Sequence, residues 1–394
     1  MRNLRLYNTD AAFKAHEQAA GGDGNATVTV VPGVSMSSDQ RKRYFNPHDA
    51  SILVQEVKIN YYIGDKNIAT GNTRVKFVSG VSTDGYAKIT PISGKPYEIS
   101  EPYASITLPA DSSTTISAKC SPNFYIKCIY SATTSSSRTR IYKTKPSYLW
   151  GMIVDGETFV TGNSMSTGYT FSTTGEHEIT FCFSGSNITL SSNAFSYCNN
   201  LKSVEINGAF MSLGSSFYNC TALESVTIPD SVTSIGGQCF SNCQSLKNIT
   251  IPDEVTSIGT ECFYSCGSLK SIVIPDSVTT IGTTCFMGCG SLRNIILPSG
   301  ITSLGANCFN SCSSLQEITI PSGVTVVGDY CFQYCSSLKR IICNASVAPT
   351  VYQSTFYNVA KNGTLFYPSG SDYSTWLANA SYYLGLYNWT GQEL

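Results

Sequence analysis

Cysteine is the residue whose number and spacing in this chain most invite chemistry. The 394 residues include 16 cysteines, and ten of them form five pairs spaced by four residues. The pairs are Cys239 and Cys243, Cys262 and Cys266, Cys285 and Cys289, Cys308 and Cys312, and Cys331 and Cys335. Closely spaced thiolates can bind a metal ion or form disulfides. No histidine stands beside them and CxxC spacing is absent, so we predict a stack of small buried thiols with no metal and no cofactor.

Two further cysteines, Cys120 and Cys128, lie in the first half of the chain. They could pair across two neighbouring strands, but spacing alone does not supply the geometry that a disulfide needs. The sequence therefore leaves their pairing open.

The histidines and paired acids give little support for catalysis. The three histidines are His16, His48 and His177, and none belongs to an HExxH motif. GxSxG and Walker A patterns are absent as well. The adjacent acids Asp253 and Glu254 lack a second carboxylate at a defined glycosidase distance. We interpret the histidines as surface residues and predict no catalytic residue and no enzyme.

Composition limits the function further. Only 13% of the residues are charged and the net charge is −1, so we expect no attraction to nucleic acid or to an acidic membrane. The hydrophobic share of 42% is too high for a disordered chain. No run of about 18 apolar residues exists, so we expect no membrane insertion. No apolar segment follows the charged start, so we expect no export signal. That expectation leaves open an intracellular protein, a truncated chain or a virion protein released by lysis.

The second half of the sequence is an internal repeat anchored on phenylalanine. The anchors, in steps of 22 to 24 residues, are Phe195, Phe217, Phe240, Phe263, Phe286, Phe309, Phe332 and Phe356. Most are followed by a Leu-x-x-Ile-x-Ile run, whose alternation predicts a short strand, and then by proline, which ends the strand. One unit cannot bury its apolar side alone, so a fixed period of this length predicts a solenoid. Twelve of the 16 cysteines occupy two positions of this repeat.

The full pattern, CF-x-x-C-x-x-L-x-x-I-x-IP-x-x-V-x-x-IG, resembles the BspA-like leucine-rich repeats of gut and oral anaerobes. That family usually carries alanine at the first cysteine of each pair, which supports the packing interpretation. The resemblance implies a leucine-rich-repeat solenoid at 188–343, preceded by a β lead-in or N-terminal cap at 147–187. Residues 344–394, with Trp376, are similar to the closing cap of such arrays, which need caps at both ends.

The first half of the chain carries the remaining predicted elements. A short helix is predicted at Asp10–Ala20, within an N-terminal helical anchor segment at 1–25. Residues 26–146 place Val, Ile, Thr and Tyr between clusters of turn residues, which predicts a β-rich docking region of one or two sandwich-like modules. The predicted fold class is therefore mainly β, with an N-terminal β-sandwich-like region followed by a BspA-type solenoid of about 23-residue repeats and a C-terminal cap.

The opening residues 6–13, with Pro32–Ser35 and Tyr44–Asp49, are similar to the start of structural proteins of phages that infect gut anaerobes. This resemblance implies that the N-terminal region docks on a phage particle. The docking candidates are Leu6, Tyr7, Phe13, Tyr44 and Phe45.

Two surface columns of the repeat are candidate binding positions. The residue after each repeat leucine is usually cationic, as in Lys202, Lys247, Lys270, Arg293 and Lys339, although Glu224 and Gln316 interrupt. Such a stripe could contact an anionic glycan or an acidic surface, or could be a solvated column that aids solubility. A partly apolar strip beside it would suit a protein partner equally well. This strip comprises Thr227, Thr250, Val273, Ile296, Thr319 and Ile342. We interpret Asp230, Asp253 and Asp276, which follow the prolines, as turn residues that bond their own backbone and not as calcium ligands.

These patterns favour a non-enzymatic phage virion protein, such as a head fibre, a tail fibre or a decoration protein. Its N-terminal region would bind other virion proteins, and its repeats would adhere to a glycan or protein of the host surface or of mucus. We expect a homo-oligomer. A bacterial cell-surface adhesin is the first alternative, and a glycan-active enzyme with the repeats as its binding module is the second.

Overall fold

The computed structural model describes the strands between residues 52 and 122 and, from residue 124 onward, all residues except 135–137, 157, 162–164, 185–186, 353 and 382. The predicted helix at Asp10–Ala20 lies outside the described residues. The same is true of the docking candidates Leu6, Tyr7, Phe13, Tyr44 and Phe45. The chain divides after Asn123 into two compact units, with Gly156–Phe159 assigned to the first unit.

The described part of the first unit consists of β-strands. They are β1 (Ile52–Ile63), β2 (Lys66–Val78), β3 (Thr83–Lys88), β4 (Tyr97–Ile99), β5 (Tyr103–Leu108) and β6 (Thr115–Pro122). Four of them form a sheet in the order β2-β1-β6-β4, in which β1 is antiparallel to β2 and parallel to β6. Strands β3 and β5 form a separate antiparallel pair. These strands agree with the predicted β-rich first half.

The second unit begins with an antiparallel lead-in. Its strands are β7 (Phe124–Ala132), β8 (Arg138–Arg140), β9 (Leu149–Val154), β11 (Gly168–Thr170) and β12 (Gly175–Phe183), together with the end of β10 (Thr158–Thr161) from Val160 onward. Strand β12 lies between β9 and β7 and is antiparallel to both. Strand β7 belongs to this unit because it supplies buried residues such as Ile126 and Tyr130 to the core that it shares with the repeats.

Two columns of short strands form the solenoid. The first column comprises β14 (Leu201–Asn207), β16 (Ser225–Thr227), β18 (Asn248–Ile249), β20 (Ser271–Val273), β22 (Asn294–Ile296), β24 (Glu317–Ile320), β26 (Arg340–Cys343), β28 (Thr364–Tyr367) and β29 (Thr390–Glu393). The second comprises β13 (Ile188–Thr189), β15 (Phe210–Ser212), β17 (Ser234–Ile235), β19 (Ser257–Ile258), β21 (Thr280–Ile281), β23 (Ser303–Leu304), β25 (Val326–Val327) and β27 (Thr350–Val351). Paired strands within each column are parallel, so that Ser271 faces Asn294 and Ser257 faces Thr280.

The first column continues the sheet of the lead-in, because β14 pairs antiparallel with β7 on one side and parallel with β16 on the other. The segments that carry the Cys-Phe pairs are turns, and the described residues contain no α-helix. A 3₁₀ helix at Leu384–Tyr387 lies in the C-terminal cap. Within the described part of the chain, no helix is long and apolar enough to cross a membrane. The predicted mainly-β solenoid is thus confirmed.

A stack of phenylalanine rings forms the centre of the solenoid. All eight anchor rings are fully buried, and successive centroids from Phe195 to Phe356 are 5.4 to 5.9 Å apart. Neighbouring rings are within 12° of parallel. Phe181 closes the stack at one end with an edge-on contact of 5.2 Å, and Trp376 closes it at the other end at 5.2 Å. These aromatic end contacts shield the apolar faces that the first and last repeats would otherwise expose.

The tightest contacts between repeats are made by the glycine of the Ile-Gly pair. A Cβ atom on Gly282 would lie 2.3 Å from the backbone nitrogen of Thr260, and one on Gly259 would lie 2.3 Å from that of Gly237. A Cβ atom on Gly267, in the neighbouring turn, would have no such neighbour within 4 Å, so Gly267 offers a matched control.

We predict that Gly282→Ala lowers the free energy of unfolding by about 2 kcal/mol or more, because adjacent backbones must move apart. Gly267→Ala should change it by less than about 1 kcal/mol. Urea unfolding followed by circular dichroism measures both variants. Equal losses in the two variants would show that close approach of the backbones is not the cause.

Candidate binding surface

The cysteines are packing elements of the solenoid. Among the described residues, fifteen cysteines are free and buried, including Cys128. The Sγ–H group of Cys266 donates to the carbonyl oxygen of Phe240 at 3.1 Å, and Cys289 donates to Phe263 in the same way at 3.2 Å. The described residues hold no cluster of side chains that could bind a metal ion. The second cysteine of each pair thus fills a small space and links its repeat to the preceding one.

Burial raises the pKa of Cys220, Cys289 and Cys308 to about 12, because the thiolate is poorly solvated inside the stack. We predict that these thiols do not react with Ellman's reagent in the native protein at pH 8, since the thiolate is the nucleophile. All three should react in guanidinium chloride. Peptide mapping after iodoacetamide labelling identifies the protected sites, and rapid native labelling of Cys289 would contradict the buried ladder.

The predicted basic stripe is a continuous column on the solenoid. From Glu224 onward, the backbone N–H of each residue in it donates to the carbonyl of the residue one repeat earlier, as Glu224 does to Lys202 at 2.8 Å and Arg293 to Lys270 at 3.0 Å. The column runs through Lys202, Glu224, Lys247, Lys270, Arg293, Gln316 and Lys339. The structure therefore brings all five predicted cationic residues into line at the start of the first-column strands.

Glu224 divides this column into two electrostatically different parts. Its carboxylate lies 3.3 Å from the Nζ atom of Lys202 and 2.5 Å from that of Lys247. Lys270, Arg293 and Lys339 are exposed, and none of them forms an ion pair with another described residue. The cations of the column that lack an ion-pair partner thus lie in the later repeats, a distinction that the spacing of the residues did not reveal.

The outward residues of the strands form the apolar strip beside the column. Val273 and Ile296 face each other on neighbouring strands, with 61% and 63% of their surfaces exposed. Shallow depressions of about 480 and about 340 Å³ lie at these strands, the larger lined by Ile296 and the smaller by Val273. Large aliphatic side chains at this exposure are candidates for contact with a partner.

The aspartates that follow the prolines line the opposite edge of these depressions. Asp276 accepts hydrogen bonds from the backbone N–H of Ser299 at 3.0 Å and from its hydroxyl at 3.2 Å. Asp276 therefore bonds the turn of the next repeat, whereas its position after the proline predicted a bond to its own backbone. Asp253 lines the smaller depression.

His177 is a buried structural residue, so its interpretation as a surface histidine is wrong. Its side chain is 7% exposed and stacks on Phe171 with ring centroids 4.1 Å apart. Its Nδ1 atom lies 2.9 Å from Asp155 Oδ2, and its Nε2 atom lies 3.0 Å from the carbonyl oxygen of Thr173. Both ring nitrogens are therefore held by neighbours within the lead-in.

Comparison with known proteins identifies the repeat. A family model for the BspA type leucine-rich repeat region matches six copies, at residues 167–289 and 256–373. The chain belongs to the BspA-type leucine-rich repeat family. The family match does not include residues 1–166, so the phage resemblance of the opening residues stays a prediction.

Several solved bacterial structures are similar to about half of this BspA-type chain. A leucine-rich repeat protein from Bacteroides ovatus is 24% identical over 48% of this chain and 60% of its own, with a TM-score of 0.38. A leucine rich cell surface protein from Faecalibacterium prausnitzii is 30% identical over 47% and 64%, with a TM-score of 0.32. The T. pallidum leucine-rich repeat protein is 23% identical over 48% and 91%, with a TM-score of 0.35. The chain thus spans less than two thirds of the first two proteins, and no curated protein matches it.

The Glu224 carboxylate offers a direct test of the divided column. Hydrogen bonds from Lys247 and Lys202 hold its pKa below the ordinary value. We predict that Lys247→Gln raises the Glu224 pKa, because the charged form loses its strongest partner, while Lys270→Gln leaves it unchanged. Carboxyl resonances followed by NMR through a pH titration measure the shift. A Glu224 pKa that is the same in the two variants would contradict the ion pair between Glu224 and Lys247.

Proposed function

We propose that this chain is a non-enzymatic adhesion protein that displays the outward face of its repeat ladder to a binding partner. The observation that carries the proposal is the coincidence, on one face, of unpaired cations with the exposed pair Val273 and Ile296. A stacked core keeps that face rigid, so little conformational entropy is lost when a partner binds. Several copies on one particle or cell would multiply weak contacts through avidity.

The carrier that we favour is a phage particle, with the chain as a head fibre, a tail fibre or a decoration protein. Support comes from the similarity of residues 6–13 and 44–49 to phage structural proteins. In this proposal the N-terminal region binds other virion proteins, the chain assembles as a homo-oligomer, and the repeats contact a glycan or protein on the host or in mucus.

A bacterial cell surface is the alternative carrier. It is supported by the family and by the similar Faecalibacterium prausnitzii protein, which is described as a cell surface protein. The adhesive role of the solenoid is the same in both cases, and only the structure that carries it differs.

Mass spectrometry of purified particles and of protease-shaved host cells distinguishes the two carriers. We expect the chain in the particles at a copy number comparable to that of other virion proteins. Its absence from particles combined with release from shaved cells would reject the phage carrier and support the bacterial adhesin. Turnover of a host polysaccharide by the purified chain would overturn the non-enzymatic proposal.

Charge reversal on the column tests the adhesive face. We predict that Lys247→Glu combined with Lys270→Glu weakens attachment of the purified chain to mucin-coated surfaces or host cells, because a cationic contact becomes repulsive. Lys145→Glu combined with Lys361→Glu, at two exposed positions outside the column, is the matched control because it makes the same change of net charge. Unchanged attachment of a folded double variant would reject this column as the contact face.

A further inference from the structure

Two adjacent repeats carry the strongest binding features of the solenoid. We propose that the surface formed by Lys270–Asp276 and Arg293–Ser299 binds an extended acidic polypeptide segment in which carboxylates alternate with apolar side chains. This inference rests on the adhesive function proposed above and names the chemical class of its partner. The segment would run along the solenoid, with carboxylates towards the cationic column and apolar groups over Val273 and Ile296.

The first argument is the distribution of free charge. In the earlier repeats Lys202 and Lys247 are both paired with the carboxylate of Glu224. Lys270 and Arg293 are consecutive, exposed and without an ion-pair partner among the described side chains. A carboxylate that reaches these two repeats therefore meets two cations without displacing an existing ion pair.

The second argument is that the exposed aliphatic pair lies on the same two repeats. Val273 and Ile296 occupy the outward column, whereas the neighbouring repeats carry Thr250 and Thr319 at this position. Depressions of about 480 and about 340 Å³ beside the pair provide space for apolar side chains of a partner. Glu317, which also lines the larger depression, is paired with Arg340 at 3.3 Å. Burial of such groups between cationic and polar margins is the usual arrangement of a protein interface.

The third argument separates a polypeptide from a polyanionic glycan. Asp253 and Asp276 line the far edge of the two depressions. The strand Ser271–Val273 and the turn after it separate Lys270 from Asp276 by up to about 20 Å, the length of a fully extended chain, compared with a Debye length of about 8 Å in physiological salt. The two edges therefore act on different parts of a ligand. A glycan with sulfates along its whole length that covered Val273 and Ile296 would bring sulfates close to Asp253 and Asp276. A peptide in which carboxylates alternate with apolar side chains would bring only its apolar side chains close to these aspartates.

Binding of a defined peptide tests the proposal. The probe is a short fluorescein-labelled peptide that alternates glutamate with leucine, and its control carries glutamine in place of glutamate. Fluorescence anisotropy with the full chain should show saturable binding of the acidic probe only. Lys270→Gln with Arg293→Gln should weaken binding about tenfold or more, and Val273→Thr with Ile296→Thr about threefold or more.

The chosen variants match residues already present in the ladder. Gln316 stands in the cationic column, and Thr250 and Thr319 stand in the outward column, so both double variants should keep the fold. Lys145→Gln combined with Lys361→Gln, at two exposed positions outside the column, is the control for the same loss of two positive charges, and its affinity should equal that of the wild type. Circular dichroism verifies that each variant is folded.

Three results would overturn the inference. The first is the absence of saturable binding of the acidic probe up to about 1 mM. The second is equal affinity of the probe for the wild type and for the Val273→Thr, Ile296→Thr variant. The third is heparin binding that is tighter than peptide binding and is weakened only by the variant that lacks the two cations. Attachment of the wild-type chain to host cells is measured in parallel. If the wild-type chain attaches to host cells but does not bind the peptide, only this inference is overturned. If it neither attaches to host cells nor binds the peptide, the proposed adhesive function is rejected as well.

Discussion

Each repeat of this chain can bury its apolar side only against its neighbours, and the rest of the structure depends on that constraint. The parallel phenylalanine rings meet at 5.4 to 5.9 Å, so no ring is covered unless both adjacent repeats are present. Truncating one buried phenylalanine to alanine typically costs about 3–5 kcal/mol, and here both adjacent rings would lose packing. Stability is therefore a property of the whole stack, with Phe181 and Trp376 completing it at the ends.

The same constraint explains the unusual backbone of the turns. Asn242, Ser265 and Tyr334 adopt φ angles of 60°, 55° and 59°, a left-handed conformation that is uncommon outside glycine. In each case the backbone N–H donates to a carbonyl of the next repeat, for example Asn242 to Tyr264 at 2.7 Å. The N–H groups of the cationic column donate instead to the preceding repeat. Every repeat is thus hydrogen-bonded in both directions, and the local strain is offset by the continuity of the ladder.

Sequence reasoning predicted the features that the period controls. Phenylalanine, leucine and isoleucine or valine recur at fixed positions of the repeat, as in Phe240, Leu246 and Ile249, and this recurrence requires a common buried face. The cysteine positions follow the same period. The period says nothing about side-chain conformations or about pairing outside the array. The joint contact of Glu224 with Lys202 and Lys247 depends on rotamers. The place of β7 beside β14 depends on long-range pairing, and the burial of His177 depends on Phe171 in a non-repeating segment. These are the features that sequence analysis missed or misplaced.

The ladder also limits how much of its face an extended partner can use. Successive strands are about 4.8 Å apart, whereas every second side chain of an extended peptide recurs at about 6.6 Å. A peptide running along the solenoid therefore drifts by about 2 Å per repeat from side chains that it matched at the start. Long, flexible side chains such as Lys270 and Arg293 can absorb that mismatch, but the short, branched Val273 and Ile296 cannot. In the proposed complex, an apolar match confined to two adjacent repeats is consequently the arrangement that the geometry of the ladder favours, and cations further along the column would add attraction without fixed register.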